Sequence, residues 1–429
     1  MIEPQVEISD PIDVKPNKDA GIIIFLGMRF EKQALQTVGL TFLVSRLMIF
    51  FIIYISSIIF AMQPGPFLYA DPNNIILDGL IRDDSWWYQN IATQGYNMGD
   101  IATHAQGNVA FFPLYPVAVK VFAAMTGNVF LSGVLVSNIA FFVTLWYLYA
   151  LTRLEFGTET AERAIFYLAA APATVFFSAM YTESLFMSFV AATFYYARLK
   201  NWDRAALLGA LAAATRNTGI LMAAVIALEG LHQQGFRFFP TTWNRSALIE
   251  HLKKQIRPIL KSWPSLLAAV FACLGLVAYM TYLTNAFGDP LAFIHVEATW
   301  GRSTSPGAIT GLFQSIKTGL NIGSNIWAGQ IDVNNLLNLI NLIVFTFLVG
   351  AVAIKMRPTF SWFSVITFLI PLSTGTNGSM TRYVLMQLPC FMLLAYYGRR
   401  PWVDRLILAI FLPMSAFTAI IFSHWVFAG

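Results

Sequence analysis

Long apolar runs constrain this chain before anything else does. Gly39 to Met62, Phe130 to Thr152 and Leu336 to Ile354 are three of them. At about 1.5 Å per residue each can cross the ~30 Å hydrocarbon core of a bilayer. A backbone in lipid must satisfy its own hydrogen bonds, so only helices and closed barrels span it. These runs are continuous rather than alternating, which excludes an outer-membrane barrel. Composition agrees. Of the 429 residues, 57% are hydrophobic and 11% are charged, against roughly 25% charged in a soluble domain. A water-soluble globular fold is excluded, and the chain reads as an all-α polytopic membrane protein.

The positions of the basic residues orient it. Segments 1–38, 153–163, 198–204, 232–262, 355–359 and 398–405 hold 20 of the 27 Lys and Arg residues. All six can share one side, and the positive-inside rule makes that side the cytoplasm. The net charge of +5 has the same origin and gives no reason to expect nucleic acid as a partner. Residues 1–38 are then a cytoplasmic tail whose last part, Ile22 to Gln36, is expected at the interface. Residues 39–429 form one transmembrane domain, with external loops 63–108 and 285–335. No removable signal peptide is expected, because the first 38 residues carry six acids and no small-residue site follows an early apolar core. Cys273 and Cys390 both fall in apolar runs. They cannot make a metal site alone, and no disulfide is expected between them.

Parity adds detail. Segments 153–163, 198–204 and 232–262 share a side, so residues 164–197 must enter and return. The short spans Ala164–Met180 and Ser184–Arg198 would do this. Residues 205–231 must do the same but are too short for two crossings. They predict a shallow hairpin with Arg216 at its tip. The total is about 11 transmembrane or half-spanning helices.

The first external loop carries the densest chemistry. It reads Arg82-Asp83-Asp84-Ser85-Trp86-Trp87-Tyr88 and continues through His104 to Phe111-Phe112-Pro113-Leu114-Tyr115-Pro116. Between residues 63 and 108 there are five acids and one base. One reading is a carboxylate base beside aromatic, sugar-facing surfaces. The other is a solvated acidic loop with an interfacial aromatic belt. Charges at membrane depth favour the first. Glu183 sits at the turn of the first hairpin, Arg216 at the tip of the second, and Arg382 at the outer start of a span. Arg46 lies within the first span, where it can snorkel to the cytoplasmic side. Ionisable groups at such depth pair or serve a site. Arginines can hold a phosphate by charge-assisted hydrogen bonds, and a carboxylate can take the proton of an attacking hydroxyl. The set suits group transfer from a lipid-linked donor.

These residues also carry a resemblance. Arg82 to Tyr96 with Phe111 to Pro116 resembles the first external loop of the GPI mannosyltransferase 2 (PIG-V type) family and its bacterial relatives. Further similar blocks follow in order: Pro172 to Phe186, Ala214 to Leu221, Gly288 to Ile294, and Arg382-Tyr383-Val384. The resemblance implies a GT-C glycosyltransferase fold with a long first external loop. It implies an inverting mannosyltransferase using a polyprenyl-phosphate sugar, such as dolichyl-phosphate mannose, and a glycolipid or glycan acceptor on the non-cytoplasmic side. By position, Asp84 would be the general base. Asp83 stands where the family often carries tryptophan. The adjacent acids leave open which one acts and whether they hold a divalent metal, although no cofactor is indicated. Arg216 and Arg382 are the expected donor-phosphate contacts. Glu183, Trp86, Trp87, Tyr88, His104, His295 and Tyr115 are the expected substrate contacts. A phosphate leaves as a stable anion, so one base suffices, unlike glycoside hydrolysis with its two carboxylates. Two other classes remain in view. A transporter or flippase of lipid-linked sugars would show inverted repeats, and none is evident. A lipid-linked oligosaccharide polymerase or ligase would use a pyrophosphate donor.

Overall fold

The computed structural model describes residues 22–25, 28–61, 69–99, 105–237, 245–300, 310, 313, 316–317, 332–373 and 378–426. It is helical apart from one antiparallel hairpin, β1 (Ile22–Phe25) and β2 (Met28–Glu31), in which Ile22 faces Glu31. Of the segment Ile22 to Gln36, the first part holds these two strands and the last five residues already belong to α1 (Lys32–Ile59). That helix starts ahead of the span expected from Gly39.

Five helical stretches are long and apolar enough to cross a membrane. They are α1, Val129–Phe156, Trp263–Phe287, Val333–Lys355 and Pro401–Ser423. Shorter apolar helices, Leu114–Thr126, Pro358–Leu372 and Leu388–Tyr397, pack among them. The protein is therefore an integral membrane protein. Local sequence explains the joints. Helix α4 (Leu114–Thr126) stops at Gly127, whose φ of +72° suits a residue without Cβ. Asn128 then opens α5 (Val129–Phe156), its side chain accepting from the N–H groups of Phe130 and Leu131. Helix α5 is apolar all round and buries most of its surface, as a central helix must.

The expected span Ala164–Met180 does not form. Helix α6 (Thr158–Ala169) ends early, and residues 170–182 run on as bends and a 3-10 turn, Thr174–Phe177. Pro172 explains the stop, since it lacks an N–H and disfavours helix in the residue before it. Non-helical backbone survives at membrane depth only where protein surrounds it, and this segment is almost wholly buried. Its carbonyls are answered from outside. Arg46 donates to Ala169 O at 3.2 Å and Thr174 O at 3.1 Å, and to the hydroxyls of Thr174 and Ser178. Ser184 donates to Phe177 O at 2.7 Å and Ser137 to Tyr181 O at 3.1 Å. Arg46 does not snorkel. It is 2% exposed and lies over the Phe141 ring. Replacement of Arg46 by Met is expected to lower stability by about 2–4 kcal/mol, because charged hydrogen bonds are lost and carbonyls are left bare. Lysine, with one nitrogen, should not restore it. An unchanged unfolding midpoint in detergent would refute this.

The next helices follow the expected hairpin. Helix α7 (Glu183–Arg198) is followed by α8 (Trp202–Thr215), a 3-10 turn Asn217–Ile220 reverses the chain, and α9 (Leu221–Gln233) packs back on α8. Glu183 and Arg216 therefore meet at one end of the bundle. At the other end Arg198 pairs with both Glu155 and Glu229, and Arg357 and Thr359 also reach Glu229. Near the C-terminus the expected span from Tyr383 is broken. Met380–Tyr383 is one helical turn, Val384–Met386 is 3-10, and Pro389 opens Leu388–Tyr397. Cys273 and Cys390 are free thiols.

Candidate active site

Among its described residues, the segment expected to form the first external loop is not all open coil. It folds into α2 (Ile75–Gly79) and α3 (Asp84–Gln94), and Arg82 anchors the turn between them. The guanidinium of Arg82 is fully buried. It pairs with Asp78 at 2.9 Å and donates to the carbonyls of Asp78, Ile81 and, in the last helix, Ser423. Asp83 follows at φ 43° and ψ −110°, a region that strains a residue with a Cβ. The Tyr181 hydroxyl bridges the strained turn. It donates to Arg82 O at 3.2 Å and accepts the Asp84 N–H at 3.3 Å. Asp84 thus begins α3 at its positive end, where a carboxylate is favoured.

Four charged residues from distant parts of the chain then converge. Arg382 Nη1 donates to Asp84 Oδ2 at 2.5 Å, and Arg382 Nε lies 3.3 Å from Glu183 Oε1. The same Glu183 oxygen accepts from Arg216 Nη1 at 2.8 Å, which also reaches Thr182 Oγ1 at 2.9 Å. Glu183 is wholly buried, and its second oxygen has no hydrogen-bond partner among the described residues. Asp84 and Arg216 keep 20% and 15% of their side chains exposed. The cluster is therefore open at its two ends and closed in the middle. Burial, followed by the neighbouring Asp84 charge, pushes the Asp83 carboxyl up to about 6. Among the described residues, no group of three His, Cys, Asp or Glu side chains converges.

Aromatics flank this centre. Asp84, Trp87 and Tyr88 are three and four residues apart on α3 and share a face. Trp87 stacks on Phe111, with ring centroids 6.0 Å apart and planes at 15°. Trp300 meets both edge-on, at 5.0 and 5.7 Å. Tyr88 packs between Phe111 and Tyr181 and shares a hydrogen bond with Thr182. Burial, then the Asp84 charge, keeps its hydroxyl above the ordinary tyrosine range.

The other expected substrate contacts stand apart from the cluster. Tyr115 is fully buried behind Tyr88, and its hydroxyl is taken by Gly133 O and Ser137. Trp86 leans on Phe130. His295 pairs with Asp289 at 2.7 Å, and that imidazole holds the Asp289 carboxyl below its ordinary range. His104 lies outside the described residues. The sequence reading missed Tyr181, Thr182 and Trp300. Tyr181 and Thr182 adjoin Glu183 in its motif, whereas nothing in the sequence of the second loop marks Trp300.

Residues 32–306 match the family described as Mannosyltransferase (PIG-V). No curated protein sequence matches the chain. Similar solved structures include the oligosaccharyltransferase of Archaeoglobus fulgidus. Its apo form is 13% identical, with a TM-score of 0.45, covering 92% of this chain and 56% of that one. Its complex with an inhibitory peptide and a dolichol-phosphate is 12% identical, with a TM-score of 0.42, covering 92% and 55%. The chain spans about half the length of these enzymes.

Proposed function

The chain belongs to the mannosyltransferase (PIG-V) family of membrane glycosyltransferases, and on that premise we propose that it transfers mannose from a polyprenyl-phosphate donor to a glycolipid or glycan. The site faces the non-cytoplasmic side. The observation that carries this reading is the chain of contacts from Asp84 through Arg382 and Glu183 to Arg216. Two arginine forks stand beside one partly exposed carboxylate. Arg216 and Arg382 hold the donor phosphate by charge-assisted hydrogen bonds. Glu183, fixed between them, keeps both guanidinium groups in position. Asp84 takes the proton of the acceptor hydroxyl as that oxygen attacks the anomeric carbon from the side opposite the phosphate. The sugar–phosphate bond breaks, the phosphate keeps the electron pair, and the anomeric centre inverts. The family match favours this enzyme over a transporter of lipid-linked sugars.

The test is purified protein against a panel of polyprenyl-phosphate sugars, with mass analysis of the product. A mannosylated acceptor from the mannosyl donor is expected. Failure with every member of the panel would reject the reading. The arginines supply the positive charge that a departing phosphate needs, so transfer should survive chelation of divalent metals. Loss on chelation with recovery on adding magnesium would instead assign the Asp83–Asp84 pair to a metal.

Asp83 gives a further check. Its folded form holds a proton more tightly than the unfolded chain does, so its stabilising contribution is present at pH below about 4 and is lost as pH rises through about 6. Asparagine tolerates positive φ and carries no charge. Asp83→Asn should therefore be more stable than the parent at pH 7.5, and the difference should vanish near pH 4. A gain of equal size at both pH values would refute the assignment.

A further inference from the structure

The aromatic residues beside Asp84 are arranged for more than packing. Trp87 comes from α3, Phe111 from the stretch after it, and Trp300 from the 3-10 turn Val296–Trp300. All three rings are half-buried rather than sealed in the core. Their frame is rigid. Tyr96 donates to Phe111 O at 2.8 Å, Tyr279 donates to Val109 O at 2.7 Å, and Phe112 packs on Tyr279 and Phe293. Val296 and Thr299, just before Trp300, are buried anchors. In this setting Trp300 Nε1 is buried and has no hydrogen-bond partner among the described residues. A buried donor left unanswered costs stability and calls for an explanation.

A pyranose ring answers both features at once. Its C–H face covers an aromatic ring, and its rim of hydroxyls offers acceptors to a tryptophan N–H. We infer that Trp87, Phe111 and Trp300 form the subsite for the acceptor's sugar ring, with Trp300 Nε1 donating to one of its hydroxyls. This rests on the transferase reading given above. The arginines that take the phosphate lie toward Glu183, and the Tyr88 ring stands between that side and Phe111. Trp87 is one helical turn from Asp84 on the same face, about 5–6 Å away between Cβ atoms, which is within the span of a hexose. A ring seated there presents a hydroxyl to the carboxylate that must deprotonate it. Trp300 is thus a specificity-determining residue on a segment far from the catalytic loop in sequence.

The experiment uses the full chain in nanodiscs and n-octyl α-D-mannoside as probe, first by equilibrium binding with no donor present. Saturable binding is expected. Trp300→Phe, which keeps a ring and loses the N–H, should weaken it about threefold. Trp300→Ala should weaken it about tenfold or more, as loss of a central tryptophan anchor does. The KM for polyprenyl-phosphate mannose should stay within about twofold in both variants. Equal probe affinity in Trp300→Ala, or no saturable binding by the parent protein, would overturn the inference. So would a change confined to the donor KM, which would place the donor sugar in the cleft. Failure of the transferase reading looks different: the parent protein would bind the probe with the expected tryptophan dependence yet transfer nothing from any polyprenyl-phosphate sugar.

Discussion

Asparagine at position 84 is expected to lower the turnover of mannosyl transfer by about 10²–10⁴-fold, the range lost with a general base. The substitution is isosteric. Its amide oxygen can still accept from Arg382 Nη1, so the link to Glu183 and Arg216 stays closed. What disappears is affinity for the proton of the attacking hydroxyl. The donor KM should change little, since the phosphate contacts are retained. Turnover of a radiolabelled donor, with the unfolding midpoint as a control for fold, gives the answer. Full turnover by Asp84→Asn would remove this residue as the base. The same change at Asp83 should cost far less, because Arg382 contacts Asp84 and not its neighbour. A large loss at 83 with none at 84 would exchange the two roles.

The second large effect is on stability. Glu183→Ala should destabilise the protein by about 3–5 kcal/mol, the cost of leaving buried charge without its partner. Glu183 Oε1 is shared by Arg216 at 2.8 Å and Arg382 at 3.3 Å. Removing it leaves Arg216 without its carboxylate and Arg382 held by Asp84 alone, at the closed middle of the cluster. Glu183→Gln should cost less, since its carbonyl still accepts a hydrogen bond from Arg216. Denaturation midpoints in detergent measure the difference. An alanine variant as stable as the parent would mean that the pair contributes nothing, as at an exposed surface.

Much of this architecture was legible in the sequence, for physical reasons. A reversal at Arg216 was expected from parity, because residues 205–231 are too short to cross twice, and the chain does turn there between α8 and α9. The apolar length of α5 and its basic exit at Arg153 marked it as a span. The meeting of Asp84 with Arg382 was not legible, because it is a tertiary contact between residues 298 apart in sequence. The break after Ala169 was missed for another reason. Its segment is as apolar as a span, and only the placement of Arg46 against the freed carbonyls shows what replaces the helical hydrogen bonds. Trp300 was invisible because its meaning lies in its neighbours, Trp87 and Phe111, which no local pattern couples to it.

The contact between Arg82 and Ser423 O has a consequence for synthesis. A chain made from its N-terminus carries Asp83 and Asp84 early, when of the long apolar helices only α1 precedes them. Glu183 and Arg216 come next and can pair at once. Arg382 and the end of the last helix arrive much later. Throughout that interval Asp84 lacks Arg382, and Arg82 has only its local partners Asp78 and Ile81. The charged cluster is thus completed only when residue 382 is in place, and a nascent protein stalled before it carries Asp84 without the guanidinium that links it to Glu183 and Arg216.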